Sequence, residues 1–81
     1  MRLDFSPSFV KAYNKAPTKI QRAFDKQSKL LLQNLNYPSL RAKKYSETEN
    51  IWQARVDKSW RFYFRIKGDV YYLLDIISHP K

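Results

Sequence analysis

The residues best suited to chemistry in this 81-residue chain lie in one short stretch, Trp60–Lys67. Its residues alternate in polarity, and side chains on a β-strand point to opposite faces with a period of two. The two faces are an apolar row and a polar row, Trp60, Phe62, Phe64 and Ile66 against Arg61, Tyr63, Arg65 and Lys67. Three cations and one phenol suit a polyanion that also offers bases to stack on. The alternative is a basic, solvated face that binds nothing.

Other candidate residues lie on either side of this stretch. His79 is the only histidine, and its unperturbed pKa near neutrality suits a general acid or base. The alternative for His79 is an idle residue close to the chain terminus. Arg55 and the adjacent Lys43 and Lys44 are candidates for holding phosphate, with solvated charge as the alternative. For Arg61 the alternative is an ion pair with one of the aspartates on the neighbouring segments.

The charge of the chain indicates the kind of partner. Sixteen Lys and Arg against seven Asp and Glu leave a formal net charge of +9 at pH 7. The excess is present in both halves of the chain, so it does not come from a charged tail. Basic charge spread through a folded domain favours nucleic acid or an acidic protein as partner. A membrane surface fits less well, because the basic strand face lacks apolar groups to insert into lipid.

Composition also excludes several classes of protein. The chain has no cysteine, which excludes disulfides and thiolate metal sites. One histidine and scattered carboxylates predict that it binds no metal, and no cofactor motif is apparent. No apolar run is long enough to span a membrane, and no signal peptide opens the sequence. We therefore expect a cytoplasmic protein with a single domain over residues 1–81.

The first half of the chain predicts one strand and two helices. Residues 2–5 form a short strand, and Ser6 before a proline begins a helix that ends near residues 16–17. Thr18 to Gln21 have the pattern of a capping box and open a longer helix, which ends within residues 34–38. The apolar stripe of this helix is Ile20, Ala23, Phe24, Leu31 and Leu35, and its cations are Lys19, Arg22, Lys26 and Lys29.

The second half predicts strands over residues 41–45, 51–57, 61–67 and 70–77. Tight turns at residues 57–59 and 67–69 join the last three, and the second turn contains Gly68, the only glycine. The predicted class is α+β with the order β-α-α-β-β-β-β. Two helices pack on one face of a small, mostly antiparallel, twisted sheet. The other face is then open and carries Arg55, Arg61, Tyr63 and Arg65, with Lys43 and Lys44 nearby.

Five phrases of the sequence occur together in a known family. They are FSPSF at 5–9, PSLRAKK at 38–44, IWQARVD at 51–57, WRFYFRI at 60–66 and VYYLL at 70–74. In this order the chain resembles the RelE/ParE superfamily of toxins from bacterial toxin–antitoxin modules, over nearly its whole length. The most specific feature is Trp60-Arg61 followed by an alternating strand and then Gly68-Asp69.

The resemblance implies a ribosome-dependent endoribonuclease that cleaves translated mRNA and is held inactive by a co-encoded acidic antitoxin. In such cleavage the ribose 2′-OH attacks the adjacent phosphate, which requires a base, an acid and cations but no metal. Arg61 matches the family's strand arginine at the scissile phosphate, and His79 follows the last strand, where several members carry a catalytic residue. The resemblance thus implies Arg61 and His79 as catalytic residues. The implied RNA-binding residues are Lys43, Lys44, Arg55, Tyr63 and Arg65.

The chain also departs from the family pattern. Gln53 and Arg55 occupy strand positions where active nucleases often carry further Lys, Arg, His or Glu residues, and Ser46-Glu47 replaces a common Lys-Gly pair. Many members continue into a short helix with a catalytic tyrosine, whereas this sequence stops at Lys81. These departures keep an alternative open, a non-catalytic binder. It is either a ParE-like inhibitor of DNA gyrase or a degenerate toxin that binds only antitoxin or RNA.

Overall fold

The computed structural model describes residues 1–78, and within them the predicted α+β class and element order are confirmed. The order is strand, two helices, a 3-10 turn and four further strands. The elements are β1 (Arg2–Phe5), α1 (Pro7–Lys15), α2 (Thr18–Gln33), the 3-10 turn (Pro38–Leu40), β2 (Lys43–Ser46), β3 (Ile51–Arg55), β4 (Trp60–Lys67) and β5 (Val70–Ser78). No helix in this part of the chain is long and apolar enough to cross a membrane.

All five strands form one sheet in the order β1-β5-β4-β3-β2. β1 is parallel to β5, and the other neighbouring pairs are antiparallel, which confirms the predicted sheet type. The register pairs Ala54 with Phe62 and Arg55 with Arg61. Because directly paired residues share a face, the apolar row of β4 meets that of β3 on one side. The two arginines lie together on the other side.

A β-bulge in β5 changes which of its residues face the core. Tyr63 pairs with Asp75, but the next residue of β4, Phe64, pairs with Leu73, so Leu74 is an extra residue. An extra residue in one strand reverses the alternation beyond it. Leu73 and Ile76 are therefore both buried although three positions separate them. The bulge also brings Asp75 onto the open face beside Tyr63.

The hydrophobic core lies between the helices and the apolar face of the sheet. The ring of Phe24 on α2 meets that of Phe62 on β4 edge-on, with centroids 5.2 Å apart. Tight packing of this kind needs matched apolar faces on both layers, as the alternation predicted. No helix of residues 1–78 contributes to the cavities on the open face of the sheet. The largest fully buried side chains are Phe9, Leu31, Leu40, Phe62, Phe64, Leu73 and Ile76.

Both predicted helix starts are confirmed, but the predicted capping contact is correct only for the first helix. The Ser6 Oγ accepts a hydrogen bond from the Phe9 backbone N–H at 3.0 Å, as an N-cap should. The capping box predicted from Thr18 does not form, because Pro17 occupies the cap position and no side chain caps α2. The side chain of Gln21 instead donates to the Tyr13 carbonyl at 2.8 Å, which joins the end of α1 to α2.

Two predicted strand ends are also wrong. β2 begins at Lys43, since Arg41 closes the 3-10 turn with a left-handed backbone, φ 45° and ψ 44°, which no strand residue adopts. β3 ends at Arg55 because the following residues form the hairpin loop. There the Asp57 Oδ1 accepts hydrogen bonds from the backbone N–H groups of Ser59 and Trp60 at 2.7 and 2.8 Å.

Candidate functional site

A cleft of about 590 Å³ lies on the open face of the sheet, where β2, β3 and the start of β4 adjoin the segment after the 3-10 turn. Five of its eight lining residues are Lys or Arg, and none is acidic. Cations concentrated in a concave surface raise the local concentration of anions. The cleft is therefore built to receive an anion. Its lining is Arg41, Lys43, Lys44, Tyr45, Gln53, Ala54, Arg55 and Arg61.

Backbone carbonyls of the β3–β4 hairpin hold the Arg61 side chain. Its Nη1 donates to the Asp57 carbonyl at 2.9 Å and to the Trp60 carbonyl at 3.0 Å. Neither Asp57 nor Asp75 forms an ion pair with it. Their Oδ1 atoms accept backbone N–H groups instead. The guanidinium has five N–H donors, so a group held through Nη1 retains donors for a ligand.

Arg55 and Arg61 face each other across the β3–β4 pair, and Arg41 approaches from the loop side. Partial burial, followed by the charges of Arg41 and Arg61, lowers the pKa of the Arg55 guanidinium from its ordinary value. Arginine nevertheless stays protonated at neutral pH. Three like charges gathered without a carboxylate repel one another, and a bound phosphate relieves that repulsion.

Arg41 is a site residue that the sequence interpretation missed. We predicted a strand over residues 41–45, in which Arg41 was one of several basic residues. It lies in the cleft because the 3-10 turn, anchored by the fully buried Leu40, ends in the left-handed conformation at Arg41. The available signal was Pro38, since a proline is typical of the first position of a short helical turn.

The buried side chain of Gln27 on α2 joins the two segments that carry Arg41 and Arg55. Its Nε2 donates to the Ser39 carbonyl at 3.1 Å and to the Arg55 carbonyl at 3.0 Å. The Ser39 hydroxyl donates in return to the Gln27 Oε1 at 3.3 Å. One amide thus fixes the 3-10 turn relative to the end of β3, on the side of the sheet opposite the cleft.

We expect Gln27→Leu to destabilise the fold by about 1–3 kcal/mol, the usual cost of leaving buried hydrogen-bonding groups unpaired. Leucine has a similar volume, so the loss comes from the two carbonyls rather than from a cavity. The measurement is urea unfolding, with Gln33→Leu as the matched control because Gln33 is an exposed residue of the same helix. Equal stability of the two variants would contradict the role assigned to Gln27.

The aromatic part of the site consists of two tyrosines. Tyr63 on β4 is half-buried, and its hydroxyl accepts a hydrogen bond from the Gln53 Nε2 at 2.9 Å. Tyr45 on β2 is 62% exposed, and its ring lies 5.1 Å from that of Tyr63 at an interplanar angle of 72°. Tyr45 was missed, although its alternation with Lys43 in a short strand places both on the open face.

Three further predicted site residues, Lys44, Arg65 and His79, remain to be located. Lys44 lines the cleft, but its Nζ lies 5.1 Å from the centroid of the ring of Trp52, a residue of the core face, and donates to the Asn50 Oδ1 at 2.8 Å. Arg65 is outside the cleft lining and donates through Nε to the Glu49 carbonyl at 3.0 Å, which tethers the β2–β3 loop. The RNA-binding roles of both stay predictions. His79 lies outside the described residues.

Residues 1–78 contain no cluster of three or more His, Cys, Asp or Glu side chains that could hold a metal ion. The polar side chains that line the cleft carry guanidinium, ammonium, amide and phenol groups. These bind anions and stack on flat rings, and they supply positive charge to a reacting phosphate.

Comparison with known proteins gives matches at the level of structure. No family model matches the sequence. No curated protein matches it significantly. A YoeB/ParE toxin from Agrobacterium tumefaciens superposes with a TM-score of 0.78 at 12% identity, covering 99% of this chain and 100% of that one.

Two further solved structures match almost as completely. RelE in the RelB–RelE antitoxin–toxin complex from Methanococcus jannaschii gives a TM-score of 0.74 at 21% identity, over 93% of this chain and 88% of that one. The isolated RelE toxin of E. coli gives 0.77 at 13% identity, over 98% and 84%. The chain therefore has the fold of the RelE, ParE and YoeB toxins over nearly its whole length.

Proposed function

We propose that this protein is the toxin of a toxin–antitoxin module, a cytoplasmic endoribonuclease that cleaves translated mRNA on the ribosome. One observation carries the proposal. A cationic cleft, whose lining within residues 1–78 includes no acidic residue, lies on the open sheet face of a RelE-like fold, with Arg55 and Arg61 paired across two strands. The solved relative from Methanococcus jannaschii, which is bound to an antitoxin, supports the proposed regulation by a cognate acidic antitoxin.

The proposed reaction is attack of a ribose 2′-OH on the adjacent phosphate, with departure of the 5′-oxygen and no metal. Negative charge accumulates on the phosphate oxygens in the transition state. Donors that are already fixed stabilise this charge without reorganisation. Two carbonyls hold the Arg61 guanidinium, so it is such a donor. Arg41, Lys43 and Arg55 would bind the same phosphate or its neighbours in the RNA strand.

Proton transfer in this proposal belongs to His79. The cleft lining within residues 1–78 contains no histidine and no carboxylate. An imidazole has the appropriate pKa for taking a proton from the 2′-OH or giving one to the 5′-oxygen. His79 directly follows Ser78, which pairs with Trp60, the residue before Arg61. Its catalytic role stays a prediction.

The test is induced expression in bacteria that carry a translated reporter and a matched reporter without a start codon. We expect growth arrest and cleavage of the translated reporter mRNA only, since the ribosome presents the substrate. Primer extension would locate the cuts within codons. Intact reporter mRNA in arrested or normally growing cells would show that the nuclease proposal is wrong.

A non-catalytic binder is the second candidate, and the absence of an acid–base group from the described cleft lining favours it. In this case the cleft would hold antitoxin or RNA without reaction, or the protein would inhibit DNA gyrase. The same expression experiment separates these outcomes. A gyrase inhibitor would induce the DNA-damage response and leave mRNA intact, whereas a degenerate toxin would do neither.

A further inference from the structure

A second hollow of about 270 Å³ lies on the open sheet face beside the cationic cleft. Its lining is mostly apolar and comes from β3, β4, β5 and the end of β2. Among the described residues, Tyr45 alone lines both the cleft and this hollow. The open face is therefore divided into a cationic part and an apolar part, with Tyr45 at the border. The lining of the hollow is Tyr45, Ile51, Tyr63, Leu74, Asp75 and Ile77.

Two of the side chains that line this hollow are large, apolar and exposed. Tyr45 is 62% exposed and Ile77 is 42% exposed, and both are among the few large apolar side chains left open to solvent in residues 1–78. An exposed ring beside cations is the arrangement that single-stranded nucleic acids require, because their phosphates bind cations while their unstacked bases need an aromatic surface.

The ring of Tyr63 packs against the ring of Tyr45 and supports it. Tyr63 is half-buried, its ring meets that of Tyr45 at 72°, and its hydroxyl is engaged by the buried Gln53 at 2.9 Å. Because a hydrogen bond and packing hold the Tyr63 ring, this side chain has little rotamer freedom to lose when a ligand binds. Tyr63 is thus a positioning residue, and Tyr45 presents the accessible surface.

We propose that Tyr45 is the ring on which one base of the bound RNA stacks. The phosphate next to that base would lie in the cationic cleft, and the base would cover the apolar hollow. This inference rests on the proposed function, since it takes RNA as the ligand, and it goes beyond it by assigning a base-stacking role. It also moves the aromatic contact from the predicted Tyr63 to Tyr45.

The test compares Tyr45→Ala, Tyr45→Phe and Tyr37→Ala in a translation extract and with a short RNA oligonucleotide. Tyr37 is a matched control because it is 41% exposed and lines neither the cleft nor the hollow. Stacking of one base on an aromatic ring accounts for about a 5- to 150-fold difference in binding. We expect losses in this range for Tyr45→Ala in oligonucleotide affinity and in cleavage rate, much smaller losses for Tyr45→Phe, which keeps the ring, and wild-type values for Tyr37→Ala.

An oligonucleotide with abasic positions separates stacking from charge. Wild type should bind it more weakly than the intact oligonucleotide, and Tyr45→Ala should bind both equally, because deletion of the ring and of the base removes the same contact. Thermal unfolding monitors the fold of each variant. If Tyr45→Ala cleaves as wild type does, or keeps the preference for the intact oligonucleotide, the stacking role is wrong and the nuclease proposal stands. If wild type cleaves nothing, the nuclease proposal fails, and the abasic comparison alone decides the stacking role.

Discussion

Substitution Arg61→Ala should reduce the rate of cleavage of translated mRNA about 30- to 1,000-fold, or ~2–4 kcal/mol of transition-state stabilisation. This is the largest effect expected of any single substitution in the cleft. The reason is the fixed position of the guanidinium. The Asp57 and Trp60 carbonyls hold it, and no carboxylate of residues 1–78 pairs with it.

Two variants serve as controls for this substitution. Arg61→Lys keeps the charge but has no planar fork of donors, so we expect it to recover only part of the lost activity. Arg22→Ala removes the same charge from the exposed face of α2, far from the cleft, and should leave the rate unchanged. The measurement is primer extension on a reporter in a translation extract, with thermal unfolding to compare stabilities. Cleavage by Arg61→Ala at the wild-type rate would exclude Arg61 from the reaction.

The fold was predictable because most helices and strands have a clear local pattern of polar and apolar residues. The alternation in β4 identifies both faces of the central strand, and the predicted apolar row of Phe62 and Phe64 is fully buried. The Ser6 cap at the start of α1 was also predictable, because a hydroxyl residue directly before a proline is typical of a helix N-cap. Helices over one face then follow from the need to cover a single apolar surface.

Features that depend on tertiary contacts were not predictable. The extra residue in β5, Leu74, leaves no mark in an apolar run, because both faces of that strand are hydrophobic. Thr18 and Gln21 match a capping box, but Pro17 at the cap position and the nearby Tyr13 carbonyl determine the actual contacts. Gln27 lies among apolar residues of α2, and nothing local indicates that two distant carbonyls are its partners.

The cationic character of the candidate site was predictable from the sequence, but the complete set of its residues was not. Arg55, Arg61 and Lys43 were expected on the open face, and all three line the cleft. Arg41 was missed because its position depends on one left-handed residue, and Tyr45 because a single exposed ring in a short strand has no distinctive pattern. Lys44 was expected beside Lys43 and also lines the cleft, but its Nζ lies over the Trp52 ring, because neighbouring residues of a strand face opposite sides.

A second large effect is expected on thermal stability, when an acidic partner protein binds. The formal net charge of +9 includes four exposed cations on α2 as well as those of the cleft. Residues 1–78 contain only two ion pairs, Arg2 with Asp4 and Lys44 with Glu47, both at 4.0 Å. Most of the positive charge is thus uncompensated within this range. A partner segment rich in Asp and Glu would remove the repulsion by folding over it. The four exposed cations of α2 are Lys19, Arg22, Lys26 and Lys29.

We expect the product of the neighbouring open reading frame to bind this protein tightly and to stop cleavage, either by covering Arg55, Arg61 and Arg65 or by displacing His79. A ligand present at 100 to 1,000 times its Kd stabilises the native state by about 2.7–4.1 kcal/mol. For a domain of this size each kcal/mol raises the Tm by roughly 4–8 °C, so the shift should be roughly 10–30 °C. The measurements are co-purification of the two gene products and thermal unfolding of this protein with and without its partner.

The route of binding is tested by reversing charges on the surface outside the cleft. Lys19→Glu combined with Lys26→Glu changes two exposed residues of α2 and leaves the cleft intact. If the partner wraps the helix as well as the sheet, this variant should bind it more weakly and still cleave mRNA, so its expression should arrest growth even when the partner is present. Inhibition at wild-type partner concentrations would restrict the contact to the sheet face. If the partner neither co-purifies nor raises the Tm, the toxin–antitoxin assignment fails, and the fold remains as described.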